Sequence, residues 1–263
     1  KTPLVHCITN YVTVNDVANV LLACGGSPIM ADDEDDAVEI TAICDALVIN
    51  IGTLNKRTIA TMLRTGKRAN ELGHPVVLDP VGAGASSLRT DTTFKLMEEV
   101  KFAVIRGNIS EIKTVARGSG TTKGVDADAR DAVTEETLDE TIAFAKELGA
   151  KTKAVIAITG AIDIVADSDK AYIIRNGHPM MAKITGTGCM LTAVIAAYCA
   201  ANPENHLDAT AAAVSAFGLA GEIAYDKLVK TDGGNASYRT YLIDAVSKID
   251  AEAIKGGAKI EIR

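Results

Sequence analysis

No two cysteines stand in CxxC spacing, no G-x-x-x-x-G-K-[ST] run occurs, and no G-x-G-x-x-G follows a strand-like segment. The first absence argues against zinc-ribbon and thioredoxin-like chemistry. The second excludes a Walker-type phosphate loop and the third the dinucleotide fingerprint. Basic charge is also scarce: 27 Lys and Arg stand against 34 Asp and Glu, for a formal net charge of -7. Nucleic acid, which needs clustered cations on one face, is not an expected partner. The longest apolar run, near Ala193 to Ala201, falls far short of the ~20 residues that span a bilayer. A soluble protein with no membrane partner is expected. Its five scattered cysteines, Cys7, Cys24, Cys44, Cys189 and Cys199, suit the reduced thiols of a cytoplasmic setting. The chain opens at Lys1 without an initiator methionine, as a trimmed fragment would, and shows no signal-peptide pattern.

What is present is 48% apolar over 263 residues, enough for one large α/β domain or two small ones. Helical and strand-like patterns alternate throughout. A capping signal at Thr13 to Asp16 opens a helix running to Cys24, a strand is expected over 27–31, and the acidic run 32–36 begins another helix. Carboxylates there face the positive end of a helix dipole, which explains them better than a bound metal does. Strands over 45–52, 75–79, 102–106 and 154–159 alternate with helices over 55–72, 90–100, from Ser110, and over 134–148. Short buried strands separated by helices predict a parallel sheet covered on both faces. Strands over 162–166 and 171–175 read as a hairpin, three helices follow, and KIEI closes the chain as an edge strand. The polar, Gly-rich stretch 117–131 reads as a surface loop rather than a linker, so residues 1–263 form a single domain.

Ligands in open α/β sheets bind beyond the carboxyl ends of the strands. At those ends the sequence places NIGT, DPVGAG, RGN with a glutamate three residues later, and ITG. Each alone is explained by a turn or a helix cap; their concentration at one edge points to a site. ITGTGC at 184–189 is the strongest of these signals. Its glycines admit a ligand to the backbone, and the amides opening the following helix offer a seat for an anion.

Taken together, HCITNYVT (6–13), GGSPIMA (25–31), NIGTL (50–54), LDPVGAG (78–84), IRGNISEI (105–112), AITG (157–160) and TGTGC (185–189) resemble the hydroxyethylthiazole kinases, over essentially the whole chain and in the family's order. The resemblance implies a ribokinase-like α/β fold and ATP- and Mg2+-dependent phosphorylation of the primary alcohol of 4-methyl-5-(2-hydroxyethyl)thiazole in thiamin salvage. It also implies a homotrimer with active sites at subunit interfaces, Asn10 and Met30 lying beside a neighbour's TGTGC loop. Carried over by position, Asn10, Met30, Gly52 and Gly186 are the expected thiazole contacts. Arg106 and Thr159 are the expected ATP contacts, and Asp79 and Glu111 the expected acidic residues near magnesium. Gly186, Gly188 and Cys189 belong to the loop that would cup the transferred phosphoryl group. Simpler roles are a core methionine for Met30, a surface ion pair for Arg106, a helix cap for Asp79 and a solvated helix face for Glu111. KGVDA at 123–127 also matches the family, without an assigned role.

Other ribokinase-like enzymes commonly carry Asp where this chain has Cys189. A helix N-terminus lowers a thiol from its usual ~8.5 by a unit or more, so a thiolate fraction near neutral pH is expected. Phosphoryl transfer nevertheless has a loose transition state, which ranks the loop amides, Arg106 and magnesium above the thiol. Three alternatives stay open at this point. One is a kinase of the same fold for a pyrimidine- or pyridoxal-type alcohol. Another is a cysteine hydrolase pairing Cys189 with one of His6, His74, His178 or His206, and the third is a ligand-binding protein without turnover.

Overall fold

A computed structural model describes residues 2–118 and 132–263. Among the described residues nine strands form one sheet in the order β2-β1-β3-β4-β5-β6-β7-β8-β9. They are β1 (Leu4–Ile8), β2 (Ser27–Ile29), β3 (Ala46–Asn50), β4 (Val76–Asp79), β5 (Val104–Gly107), β6 (Val155–Ile158), β7 (Asp163–Ala166), β8 (Ala171–Ile174) and β9 (Ile260–Ile262). The strands from β2 to β6 run parallel. From β7 to β9 the pairing is antiparallel, so the sheet is mixed rather than purely parallel. For β6–β7 and β7–β8 the reason is local: the turns after Ile158 and Ala166 are too short for a helical crossover, which parallel pairing requires.

Ten α-helices among the described residues cover the sheet: α1 (Val14–Ala23), α2 (Glu34–Ile43), α3 (Lys56–Leu72), α4 (Ser87–Glu99), α5 (Ile109–Gly118), α6 (Leu138–Thr152), α7 (Thr187–Ala201), α8 (His206–Thr231), α9 (Asn235–Val246) and α10 (Ala251–Gly257). Side chains alternate across each strand, so Val48 and Val77 feed a core shared with α1, α7, α8 and α9. Leu47, Ile49 and Leu78 feed a second core with α3 to α6 on the other face. The uniformly apolar α7 is buried along most of its length, as a helix without a polar face must be. By length and composition α8 would cross a membrane, yet 78% of its apolar window is buried inside the fold, which makes it a core helix.

Several elements differ from their sequence expectation. Strand β1, the second from the sheet edge, was not assigned from the pattern. Four α-helices and a 3₁₀ turn (Pro179–Lys183), not three helices, follow β8. Helix α4 starts earlier because the Ser86 side chain caps it, accepting from Arg89 N. Helix α6 starts later because residues 134–137 are tied into a turn by Thr134 and Thr137. Thr13 holds the N-cap position of α1, but its hydroxyl donates to Asn10 Oδ1 instead of capping. Asp33, within the acidic run, does cap α2. Of the expected loop 117–131, the first two residues complete α5; the rest, KGVDA included, lies outside the described residues.

Candidate active site

Because β1, β3, β4, β5 and β6 are parallel, their carboxyl ends share one edge, bringing Asn10, Asn50, Asp79, Arg106 and Thr159 together. The register places Asn50 directly opposite Asp79. The N-terminus of α7 faces the same edge. Gly186 caps that helix with φ +88° and no capping side chain. Its left-handed backbone suits glycine, and a Cβ there would also strike Thr13. At Gly188 a Cβ would run into the Arg106 guanidinium. The first helical bond of α7 is Met190 N to Gly186 O, at 2.9 Å. Among the described residues, the amides of Thr187, Gly188 and Cys189 find no protein acceptor. They form an anion seat at the positive end of a helix.

Two cavities meet at this seat. The larger, about 670 Å³, is lined by Arg106, Thr159, Asp163, Thr187 and Gly188 and by the apolar side chains of Met181, Leu191, Val214 and Phe217. The smaller, about 330 Å³, is lined by Asn10, Gly52, Asp79, Arg89, Glu111, Gly186 and Cys189 among others. Arg106, Asn108 and Gly188 border both.

Asp79 is fully buried. Its Oδ2 accepts from Asn50 Nδ2 at 2.8 Å and Thr192 Oγ1 at 2.9 Å. Its Oδ1 has no hydrogen-bond donor and faces Arg106 Nη1 at 3.5 Å. Burial pushes the carboxyl up to about 6; Arg106 opposes that shift and Glu111 adds to it. Arg106 Nη2 donates to Thr159 Oγ1 at 2.6 Å, while its buried Nε has no partner. Glu111 is not a solvated helix face. Its Oε1 accepts from Gly82 N and its Oε2 from Asn108 N, both at 2.8 Å, and Asn108 Oδ1 accepts from Glu111 N, a reciprocal cap of α5.

Cys189 Sγ receives the Nδ2 groups of Asn10 and Asn50, each at 3.2 Å. The expected lowering of its pKa is not found: burial, and then the charge of Asp79, push the thiol above its ordinary range. Desolvation outweighs the helix end because the sulfur sits beneath the seat beside a buried carboxylate. Among the described residues no histidine hydrogen-bonds to it.

The predicted site residues converge at this edge, apart from Met30. Asn10 donates to Cys189 of its own chain. Met30 packs against the core and does not line the smaller cavity of this chain. Four contributors were missed. Asn50 links Asn10, Gly52, Asp79 and Cys189; its signal was a lone amide ending an apolar strand. Thr192, the one hydroxyl in the buried stretch of α7, holds Asp79. Asp163 lines the larger cavity, accepts from Gly160 N, and is pushed up to about 7 chiefly by burial. Arg89 gave no signal beyond its place in a helix start.

Residues 1–252 match the hydroxyethylthiazole kinase family. The chain belongs to that family. It is 62% identical to the hydroxyethylthiazole kinase of Clostridium acetobutylicum over 98% of this chain and 94% of that protein. The solved hydroxyethylthiazole kinase of Pyrococcus horikoshii OT3 superposes with a TM-score of 0.87 at 35% identity, covering 99% of this chain and 94% of that one. A Staphylococcus aureus pyridoxal kinase in complex with ADP superposes at 0.63 and 15% identity, over 85% of this chain and 89% of that one, a likeness of fold alone. The architecture is thus the ribokinase-like α/β fold.

Proposed function

We propose that the chain transfers the γ-phosphoryl group of ATP to the primary alcohol of 4-methyl-5-(2-hydroxyethyl)thiazole, the salvage step that returns the thiazole to thiamin synthesis. The observation that carries this reading is the unpaired amide triplet of α7 at the junction of two cavities, flanked by Arg106 and Asp79. The larger cavity, with apolar walls and a phosphate-facing mouth, suits the nucleotide. The smaller one suits a compact heteroaromatic alcohol held by Asn10, Gly52 and Gly186.

When bound, ATP supplies the phosphoryl group and magnesium offsets its charge. The residues present fit that pair. Asp79 presents an orphaned buried carboxylate oxygen, and Glu111 keeps lone pairs beyond its two amide donors. Among the described residues no three ligating side chains converge; magnesium held here by one or two carboxylates would complete its shell with water and phosphate. Arg106 and the α7 amides neutralise charge on the group in flight, which preorganised donors do without reorganising. Thr159 orients Arg106. Cys189, beside the amides, fixes the geometry of Asn10 and Asn50 and is a mediocre base.

Residues 1–263 act as one kinase unit, supported by a single sheet whose strands come from both sides of 119–131. A homotrimer is supported by the exposed Tyr11, Val12, Leu22 and Ile43, with Val12 also lining the smaller cavity; an assembly would give Met30 access to a neighbouring site. Five unpaired cysteines support a cytoplasmic enzyme. The test is a magnesium-dependent assay with a panel of thiazole, pyrimidine and pyridoxal alcohols. ADP formation that requires the thiazole alcohol is expected; turnover with another alcohol only, or none, overturns the reading.

A further inference from the structure

Arg89, in the first turn of α4, is a half-buried cation at the wall of the smaller cavity. Among the described residues it forms no ion pair. Half-buried charges are ordinarily balanced by an opposite charge, and this one is balanced by two backbone carbonyls from different loops. Nη1 donates to Val81 O at 2.6 Å and Nη2 to Gly52 O at 2.7 Å. The Val81 carbonyl and the Gly82 N–H belong to the same peptide unit, and that N–H donates to Glu111 Oε1. One peptide plane is therefore gripped at its oxygen by a cation and at its nitrogen by a carboxylate. The grip on Gly52 reaches the other side of the site, where Gly52 N donates to Asn50 Oδ1 and Asn50 Nδ2 to Asp79.

We infer that Arg89 is a positioning residue for the reaction, acting through the 81–82 peptide on the Glu111 carboxylate and through the Gly52 carbonyl on the alcohol pocket. Its planar fork spans two acceptors at once, which the single ammonium of lysine cannot reproduce. In this arrangement the loops after β3 and β4 hold their spacing, and Glu111 keeps Oε1 on the Gly82 amide. Without the fork, the 81–82 peptide is free to rotate, and Glu111 loses the donor that fixes Oε1. This role rests on the kinase reading above.

The test is a double-mutant cycle on the full chain, with steady-state kinetics on the thiazole alcohol and calorimetric binding of that alcohol without nucleotide or metal. Wild-type turnover is the control: its absence would overturn the assigned reaction, not the role of Arg89. Arg89→Ala and Glu111→Gln are each expected to lower kcat by about 10², and the double variant to fall no more than about threefold below the poorer single, because residues acting as a unit are not additive. Through the Gly52 arm, Arg89→Ala is expected to weaken alcohol binding about tenfold while Glu111→Gln leaves it within about twofold. Millimolar guanidinium should restore Arg89→Ala at least about tenfold, with Arg89→Lys lying between it and wild type. If Arg89→Ala does not fold, Arg89→Lys carries the same cycle. Losses that multiply in the double variant, or an Arg89 variant with kcat and alcohol affinity within about twofold of wild type, would overturn the inference.

Discussion

The two cavities that meet at α7 are built by different physics. The walls of the smaller one are cross-linked: Asn10, Asn50, Asp79, Thr192 and Cys189 form a continuous hydrogen-bonded set on strand ends and one helix turn. The larger one is lined by apolar side chains of α7, α8 and the 3₁₀ turn, with polar side chains that include Arg106, Thr159, Asp163, Asn176, His178 and Lys183. A buried polar network specifies one geometry, since each member left unpaired is costly. An apolar wall gives affinity that scales with area and tolerates shape changes. Changes in the network should therefore act on the chemical step, and changes in the apolar wall on nucleotide binding.

The sharpest break in that contrast should come where the cavities touch. Gly188→Ala drives a methyl group into the Arg106 guanidinium, disturbing a seat amide and the cation together. Because removal of one preorganised donor alone costs ~10² to 10³, kcat is expected to fall by ~10³ or more with the melting temperature little changed.

Asp79→Asn comes next, with kcat lowered on the order of 10² and a stability effect of the opposite sign. The folded-state carboxyl is raised to about 6, so the folded chain binds the proton more tightly than the unfolded chain. Wild-type stability from this group is fully present below the unfolded value and is lost as pH rises toward 6. Asp79→Asn escapes that loss. It should be more stable than wild type at pH 7 to 8, by up to about 2 to 3 kcal/mol, a net figure that already includes the Arg106 attraction, and the advantage should vanish near pH 4. Urea melts across pH check the sign. The same titration predicts that wild-type kcat/KM declines below about pH 6. The smallest effect belongs to the apolar wall: Met181→Ala should raise KM for ATP by about three- to tenfold through lost contact area, with KM for the alcohol and kcat unaltered.

Much of this division was legible in the chain. Glycine and acidic signals after each strand marked the shared edge, since parallel strands put their carboxyl ends on one side. TGTGC announced a helix mouth able to hold an anion. What stayed hidden depended on burial or on distant pairing. The direction of the Cys189 shift follows from desolvation that no local pattern encodes, and then from Asp79, more than a hundred residues away in sequence. Asn50 and Thr192 looked like a strand end and a stray hydroxyl until the register set both against Asp79. Arg89 meets two loops through their carbonyls, and backbone acceptors leave no side-chain signature. Strand β1 was masked because its apolar alternation merges into the motif that follows it.

The central claim is that peptide groups at the mouth of α7, not sulfur, carry the transfer. Its most direct test is kcat of Cys189→Ala, measured alongside circular dichroism and ADP binding to establish an intact fold and nucleotide site. A reduction near the low end of general-base loss, about 10², is expected. A variant that folds, binds ADP as wild type does, and shows no turnover at all would contradict the account.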